Sequence, residues 1–371
     1  MRDAHGIIFS YQVGAKLKEL TEHRTVSSLP FGGRYRTIDF MLSNMINAGI
    51  TNVGVIMQEH YQSLLDHLGS GKDWDLSRKH GGLRLLPPFG FANSTGSAVY
   101  RGKMEALHCV RTYIQRVPAE YIVLATGELV STLPLEEMIE MHAESGADIT
   151  AVCTSNQVGE TIDTVHMILD ANSIVRDISA GYKMPQSYEA LDVYIIEKKL
   201  LLGLIEHCAS HNFYDFERDV LQNMLGSLTI RGHLFNGYTA RPQSVISYFN
   251  QSMDLLKKSV RNELFPRERP VYTKIRDDAS TYYSPTSVVK NCIVADGCYF
   301  EGTVENSIIF KGVRIGKGAK VKNSILMQDV WVHDDAVLNF AIADKDVVIN
   351  EGRMLVGYDT YPISISKGSV V

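Results

Sequence analysis

A six-residue period in the last third of the chain is the feature that most restricts its fold. The first row of this period is Ser307, Val313, Ala319, Ile325, Trp331, Val337, Ala343 and Ile349, and the second is Ile309, Ile315, Val321 and Met327. Such spacing is typical of a left-handed parallel β-helix, whose short strands turn aliphatic side chains inward and whose corners carry Gly, Asn or Asp. A β-sandwich would not keep one period over so many repeats. We therefore predict a β-helix over 286–371.

A different pattern, in which strand and helix signals alternate, precedes the β-helix. The predicted strands are 7–9, 52–57, 120–126, 147–153 and 228–234, and the predicted helices are 38–46, 61–68, 100–114, 133–145, 203–225 and 244–259. Alternation of this kind predicts an α/β domain with a mostly parallel, Rossmann-like sheet. We expect this domain over 1–258, with a long loop at 74–93, and a charged, proline-containing linker over 259–285.

Composition excludes several classes of protein. Hydrophobic residues make up 45% of the chain, charged residues 21%, and the net charge is −5, without a basic run. Nucleic acid is therefore not an expected partner. No apolar run reaches the roughly 20 residues of a membrane helix, and no signal peptide is evident, so we expect a cytosolic protein that does not bind membranes. Five cysteines without a C-x-x-C pair fit reduced thiols.

One histidine pair has the spacing of metal ligands. His207 and His211 lie one helical turn apart, but no glutamate follows the first histidine. We therefore predict no metal site there.

The segment from Gly6 to Asn44 resembles the start of the glucose-1-phosphate adenylyltransferases. Pro30-Phe-Gly-Gly33, Tyr35-Arg36, Ile38-Asp-Phe40 and Leu42-Ser-Asn44 are in register with that family's signature. The glycine-rich nucleotide loop is not retained, because its paired glycines fall on Tyr11 and Gln12, its threonine on Ala15 and its arginine on Lys16. Within the family, this pattern is most similar to the non-catalytic, GlgD-type subunit. The resemblance implies a nucleotidyltransferase (GT-A-like) first domain.

The resemblance also implies that the catalytic positions are degenerate. The family's two metal-binding carboxylates fall on Glu128 and Arg241, and its sugar-phosphate lysine falls on Ala180. Glu128 lengthens the arm by a methylene, and Arg241 puts a cation where Mg²⁺ needs an anion. We therefore expect no catalytic residues, no bound metal and no cofactor in this chain, with Mg²⁺ held only by a catalytic partner.

A vestigial nucleotide pocket and an effector site are the remaining site predictions. We expect the pocket to be formed by Gly14, Lys16, Gln58, Tyr100, Arg101 and Gly102. The family's small residues after that last glycine are Lys103 and Met104 here, and these long side chains would crowd it. Three arginines beside a glycine pair, Arg24, Arg34 and Arg36, are candidates for binding an anionic effector. Solvated surface charge is the alternative explanation for them.

Three functions remain in competition. The preferred hypothesis is a regulatory, catalytically silent subunit that forms a mixed tetramer with a catalytic homologue and supports ADP-glucose synthesis for glycogen. The alternative is an active sugar-phosphate nucleotidyltransferase with a rearranged nucleotide loop. A hexapeptide acyltransferase is disfavoured, because His333 is the only histidine of the β-helix and such enzymes use a histidine between coils.

Overall fold

A computed structural model describes residues 3–11, 17–88, 100–156, 158 and 164–371. Eight α-helices lie within them: α1 Thr37–Asn47, α2 Gln62–Leu68, α3 Lys103–Cys109, α4 Arg111–Arg116, α5 Leu135–Ser145, α6 Lys198–His211, α7 Val245–Asp254 and α8 Lys258–Leu264. Shorter helical turns are the 3₁₀ segments Lys18–Thr21, Val26–Ser28 and Lys72–Trp74 and the π-helix Phe216–Gln222.

The strands divide into those that precede the β-helix and a short, regular set within it. The preceding strands are β1 Ala4–Phe9, β2 Pro30–Phe31, β3 Tyr35–Arg36, β4 Asn52–Ile56, β5 Gly82–Leu86, β6 Tyr121–Thr126, β7 Ile149–Thr154, β8 Val165–Leu169, β9 Val175–Ala180, β10 Tyr188–Glu197 and β11 Ile230–Leu234. The regular set is β12 Tyr282–Tyr283, β13 Val288–Lys290, β14 Ile293–Val294, β15 Tyr299–Phe300, β16 Thr303–Glu305, β17 Ile308–Ile309, β18 Arg314–Ile315, β19 Lys320–Lys322, β20 Ile325–Leu326, β21 Trp331–Val332, β22 Val337–Asn339, β23 Ala341–Ala343, β24 Val348–Ile349, β25 Met354–Val356 and β26 Ile363–Ile365.

The chain forms two compact units. The first comprises the described residues within 1–14, 38–240 and 267–272, and the second those within 15–37, 241–266 and 273–371. The predicted linker, 259–285, contributes to both. Its middle part bonds to the first unit, where Asn47 Nδ2 donates to Pro270 O over 3.0 Å, and its last part contains β12.

A nine-stranded sheet organises the first unit, in the order β11-β7-β10-β6-β1-β4-β5, with β8 and β9 attached beside β10. Its neighbouring strands are parallel except where β10, β8 and β9 pair. The mostly parallel sheet predicted from the sequence is thus confirmed. Buried side chains cover both faces: Ile7 and Phe9 belong to the cluster on one face, and Ile8 belongs to the cluster on the other.

The part of the signature block that lies in α1 makes buried hydrogen bonds within this unit. Asp39, fully buried, lies 2.6 Å from Nε2 of His67. Asn44 donates to Ser131 O over 2.9 Å and accepts from the backbone N–H of Leu133 over 3.0 Å. These bonds hold the loop after β6 against α1. The block therefore supports the fold whether or not a substrate binds.

The second unit contains the left-handed parallel β-helix that the six-residue period predicts. Three five-stranded parallel sheets form its faces, and their inward aliphatic side chains make one core. Corners are occupied by residues with positive φ, among them Asn306, Asn323, Gly312 and Gly318. Asparagine side chains at one corner bond in a ladder, because Asn323 Nδ2 donates to Asn339 Oδ1 over 3.0 Å.

The exact register of the period is wrong at two positions. Trp331 is 42% exposed and Val337 is half-buried, whereas Val332 and Leu338 are the fully buried residues. The cause is coil length: paired residues Tyr299 and Arg314 are 15 apart, and Arg314 and Trp331 are 17 apart. Because these coils are shorter than three hexapeptides, positions counted at a fixed period of six no longer coincide with the inward-facing positions.

Three details of the first unit also differ from the prediction. The segment predicted as a loop contains β5, which pairs in parallel with β4. The helix predicted over 100–114 is interrupted at Val110, between α3 and α4. Strands β8 to β10 were not predicted, since their alternation is broken by a register shift between Ala190 and Tyr194.

Candidate functional site

The crevice at the carboxyl ends of β1 and β6 is where an open α/β sheet ordinarily binds its ligand. Phe9 pairs with Thr126, and the backbone N–H of Gly127 donates to Phe9 O over 2.8 Å. Strand β10 runs antiparallel beside β6, so Asp192 reaches the same edge. The segment after β1, the loop after β6 and β10 therefore define this candidate site within the first unit.

Aromatic rings line the part of the crevice after β1. The Tyr11 ring lies 6.1 Å from Phe9 and 5.9 Å from Tyr100, measured between centroids. Burial, followed by the nearby Tyr100 and Glu217, raises the pKa of Tyr11 well above its usual value. The first glycine position of the family's loop is thus occupied by a phenol packed among rings, which removes bare backbone from the phosphate path.

A partly buried ion triad lies beside these rings. Lys103, the first residue of α3, places Nζ between the carboxylates of Asp192 and Glu217, the latter at 2.5 Å. The same Nζ is 5.7 Å from the Phe9 ring centroid. Burial opposes the charge of Lys103, but the two carboxylates outweigh it and raise its pKa. The long side chain that was expected to crowd the pocket is therefore held there by two charges.

The triad carries one carboxylate more than it has cations. Burial raises the pKa of Glu217 to about 7; Lys103 opposes this rise, while Asp192 and Asp215 add to it. Near neutral pH, Glu217 thus exchanges its proton. Sequence reasoning missed both acids, because Asp192 lies in an unpredicted strand and Glu217 in a π-helix.

Among the other residues predicted for the nucleotide pocket, Arg101 and Gly102 have local contacts. Arg101 Nε donates to Glu105 Oε1 over 3.0 Å, and its guanidinium lies 4.7 Å from the Tyr214 ring. A Cβ on Gly102 would meet the Tyr214 carbonyl oxygen at 2.2 Å, so backbone packing requires this glycine. Gln58 is 6% exposed and follows β4. Gly14 and Lys16 lie outside the described residues.

The three positions predicted to be degenerate differ in their location and burial. Glu128 follows β6 and is 1% exposed. Ala180 ends β9 and is half-buried. Arg241, in the second unit, is 5% exposed, and its Nε and Nη2 have no hydrogen-bond partner among the described residues. A guanidinium at a position where Mg²⁺ would need a carboxylate does not fit the ion.

Within 3–11, 17–88, 100–156, 158 and 164–371, no three His, Cys, Asp or Glu side chains group closely enough to hold an ion. His207 and His211 pair with each other by ring contact, with centroids 4.2 Å apart.

The arginines predicted to bind an effector have three different environments in the second unit. Arg24 is 4% exposed, and its Nη2 lies 2.8 Å from both carboxylate oxygens of Asp344. Arg34 is exposed, with its guanidinium 5.9 Å from the Tyr35 ring. Arg36, in β3, is half-buried. Arg24 is therefore an internal ion-pair residue.

Lysines from the β-helix complete a cation cluster that the sequence did not reveal. Burial, followed by Arg36, Arg24 and Lys367, lowers the pKa of Lys345 to about 7, and only Asp344 opposes the change. We name Arg24, Arg36, Lys345 and Lys367 the cation cluster. No sequence signal could have joined them, because more than 300 positions separate Arg36 from Lys345.

The fold and the crevice define a nucleotidyl transferase domain followed by a hexapeptide β-helix. The family model "Nucleotidyl transferase" matches residues 5–229, and "GlmU-like, C-terminal hexapeptide" matches 278–362.

Full-length relatives narrow this class. The chain is 34% identical to the glycogen biosynthesis protein GlgD of Bacillus subtilis over 98% of this chain and 96% of that one. It is 36% identical to GlgD of Geobacillus stearothermophilus over 85% and 82%. It is 30% identical to the glucose-1-phosphate adenylyltransferase of Fervidobacterium nodosum over 95% and 85%. The chain belongs to the family of GlgD and glucose-1-phosphate adenylyltransferase, and is related to glycogen biosynthesis.

Proposed function

We propose that this chain is a regulatory, catalytically silent subunit of a glucose-1-phosphate adenylyltransferase. It supports a catalytic homologue that makes ADP-glucose from ATP and glucose 1-phosphate in the cytosol. The observation that carries the proposal is the Lys103 triad, because a partly buried cation held by two carboxylates occupies the crevice where the family keeps small residues.

The side chains at the other aligned catalytic positions also support the proposal that this chain is catalytically silent. Two phosphate-bearing substrates and Mg²⁺ need carboxylates for the metal and a cation for the sugar phosphate. This chain offers Arg241 in place of one carboxylate and Ala180 in place of the lysine. Groups that act as a unit fail together, so the loss of several leaves little turnover.

A regulatory role follows from what the chain retains. The α1 block, the sheet and the β-helix remain intact, so the surfaces by which homologous subunits associate are available to a mixed tetramer. The cation cluster brings Arg36 and Lys345 together as a candidate site for a small anionic effector, with Arg24 held by Asp344. Effector binding on this subunit would then change the rate of its partner. Among the described residues no helix has the length and apolar character needed to cross a lipid bilayer.

Co-expression with a catalytic homologue tests the proposal. We expect one mixed oligomer on size exclusion, with a rate or effector response different from that of the homologue alone. A chain that carries Arg36→Ala and Lys345→Met should still assemble with the homologue but lose the altered effector response. This variant separates effector binding from assembly. Two separately eluting species with unchanged kinetics would contradict the proposal.

The active-enzyme alternative keeps some support from the catalytic relatives. The Fervidobacterium nodosum protein is named as the transferase itself and aligns over 95% of this chain. Turnover by the purified chain alone distinguishes the two functions.

A further inference from the structure

The first face of the β-helix carries an exposed column of aromatic and charged side chains. Strand pairing stacks Tyr282, Tyr299, Arg314 and Trp331 on successive coils. The two tyrosine rings stack with centroids 4.8 Å apart, and the Arg314 guanidinium lies 5.7 Å from the Trp331 ring. We name these four residues the aromatic column.

Large rings do not ordinarily point into water from a solenoid. Tyr282 is 48% exposed, Tyr299 42% and Trp331 42%. Parallel strands lie about 4.8 Å apart, so Tyr299 and Trp331, two coils apart, span about 10 Å along the face. That length exceeds the width of one hexose ring.

The column borders a groove of ≈ 700 Å³ within the second unit. Besides the column, Glu301, Asp334 and Glu351 line it, which sets three carboxylates against one guanidinium. Neither Glu301 nor Glu351 is in an ion pair within the described part of the chain, so their oxygens are available as acceptors.

This combination selects the ligand's chemistry. A surplus of carboxylates repels phosphate-bearing ligands, which excludes nucleotides and sugar phosphates. Aromatic faces carry negative quadrupole charge and attract the C–H faces of a sugar ring, while carboxylates accept bonds from its hydroxyls. We propose that the aromatic column and its groove bind a neutral oligosaccharide. The inference does not depend on the regulatory function, because it concerns binding alone.

Tryptophan fluorescence of the full chain provides the test. The chain has two tryptophans, and Trp74 is 1% exposed, so Trp331 is the residue that a groove ligand can reach. Titration with maltoheptaose should change the emission saturably, and inorganic phosphate or glucose 1-phosphate should not compete. Tyr299→Ala should weaken binding by about tenfold or more. Tyr182→Ala, which removes an exposed ring in the first unit, is the matched control and should leave binding unchanged.

Three results would overturn the proposal. The first is no saturable change at millimolar oligosaccharide, and the second is equal binding by wild type and a folded Tyr299→Ala variant. The third is emission from Trp331 that shifts with protein concentration and not with sugar, because the groove would then be covered by a second copy. Calorimetry on Trp331→Ala gives an independent readout and should show at least a comparable loss.

Discussion

Lys103 and the two acids around it show how side chains from three separated segments can form one ion cluster at the carboxyl end of the sheet. An isolated lysine there would be costly, because burying a charge without partners destabilises the fold. Asp192 and Glu217 remove that cost and at the same time fix the side chain in place. These contacts therefore position all three side chains in the crevice.

Glu217→Gln tests the triad through pH. The carboxyl's pKa is about 7 in the folded chain and near 4.5 when unfolded, so the native state binds an extra proton between these values. The free energy of unfolding should therefore fall as pH rises from about 4.5 through 7, by at most about 3 kcal/mol from this group. In Glu217→Gln that fall should be absent, so the difference in unfolding free energy between wild type and variant should change with pH over this range.

Glu206→Gln, which removes an exposed carboxylate of α6, is the control. A Glu217→Gln profile parallel to wild type over this pH range would show that the triad does not titrate as described.

The buried pair of Arg24 and Asp344 makes a second residue-scale prediction. Arg24→Met leaves a buried carboxylate without its bidentate partner and should cost about 3–5 kcal/mol of unfolding free energy. Arg24→Met with Asp344→Leu should recover most of that loss. Lys257→Met, which breaks an exposed pair with Asp254, should cost less than about 1 kcal/mol. A small effect of Arg24→Met would mean that Arg24 is free for a ligand.

At the scale of elements, we expect an effector to bind at the corner between β23 and β24. Lys345 lies there with Arg36 of β3 as the largest charge acting on it. An anion placed between these cations would favour the charged lysine. Effector binding and the protonation of Lys345 are therefore linked.

The linkage predicts a pH-dependent affinity. Because the pKa of Lys345 is about 7, inorganic phosphate used as a probe should bind more weakly at pH 8 than at pH 6. Lys345→Met should weaken binding at pH 6 and flatten this dependence beyond the titration of phosphate itself. Lys320→Met, on an exposed β-helix face, should match wild type. Equal affinity of the Lys345→Met chain and wild type at pH 6 would remove the cation cluster as the effector site.

Elements were predictable where one residue type repeats at a fixed spacing. The hexapeptide rows belong to this kind. The strands that contain Ile7 and Tyr121 were predictable from their continuous apolar runs. Strand β10 was not predictable, because its bulge near Asp192 breaks the alternation that marks a strand. The degenerate positions Glu128, Ala180 and Arg241 could be aligned from the sequence. The contacts among Lys103, Asp192 and Glu217 could not be predicted, since these residues come from separated segments.

At the scale of the whole molecule, the family's signature block has a structural role in this chain. Asp39 and Asn44 hold the frame through buried bonds that involve no substrate. A role in folding is sufficient to keep such residues, whether or not the chain turns over substrate. Membership of the family therefore describes how this chain folds, and the proposed loss of turnover rests on the crevice residues.

The most direct measurement is ADP-glucose formation by three samples: the purified chain, a catalytic homologue, and their co-purified mixture, with ATP, glucose 1-phosphate and Mg²⁺. We predict no turnover by the chain alone, and a rate or effector response in the mixture that differs from the homologue's. Turnover by the chain alone near the median enzyme rate of about 10 s⁻¹ would contradict its silence. A mixture that behaves as the homologue alone would contradict its regulatory role.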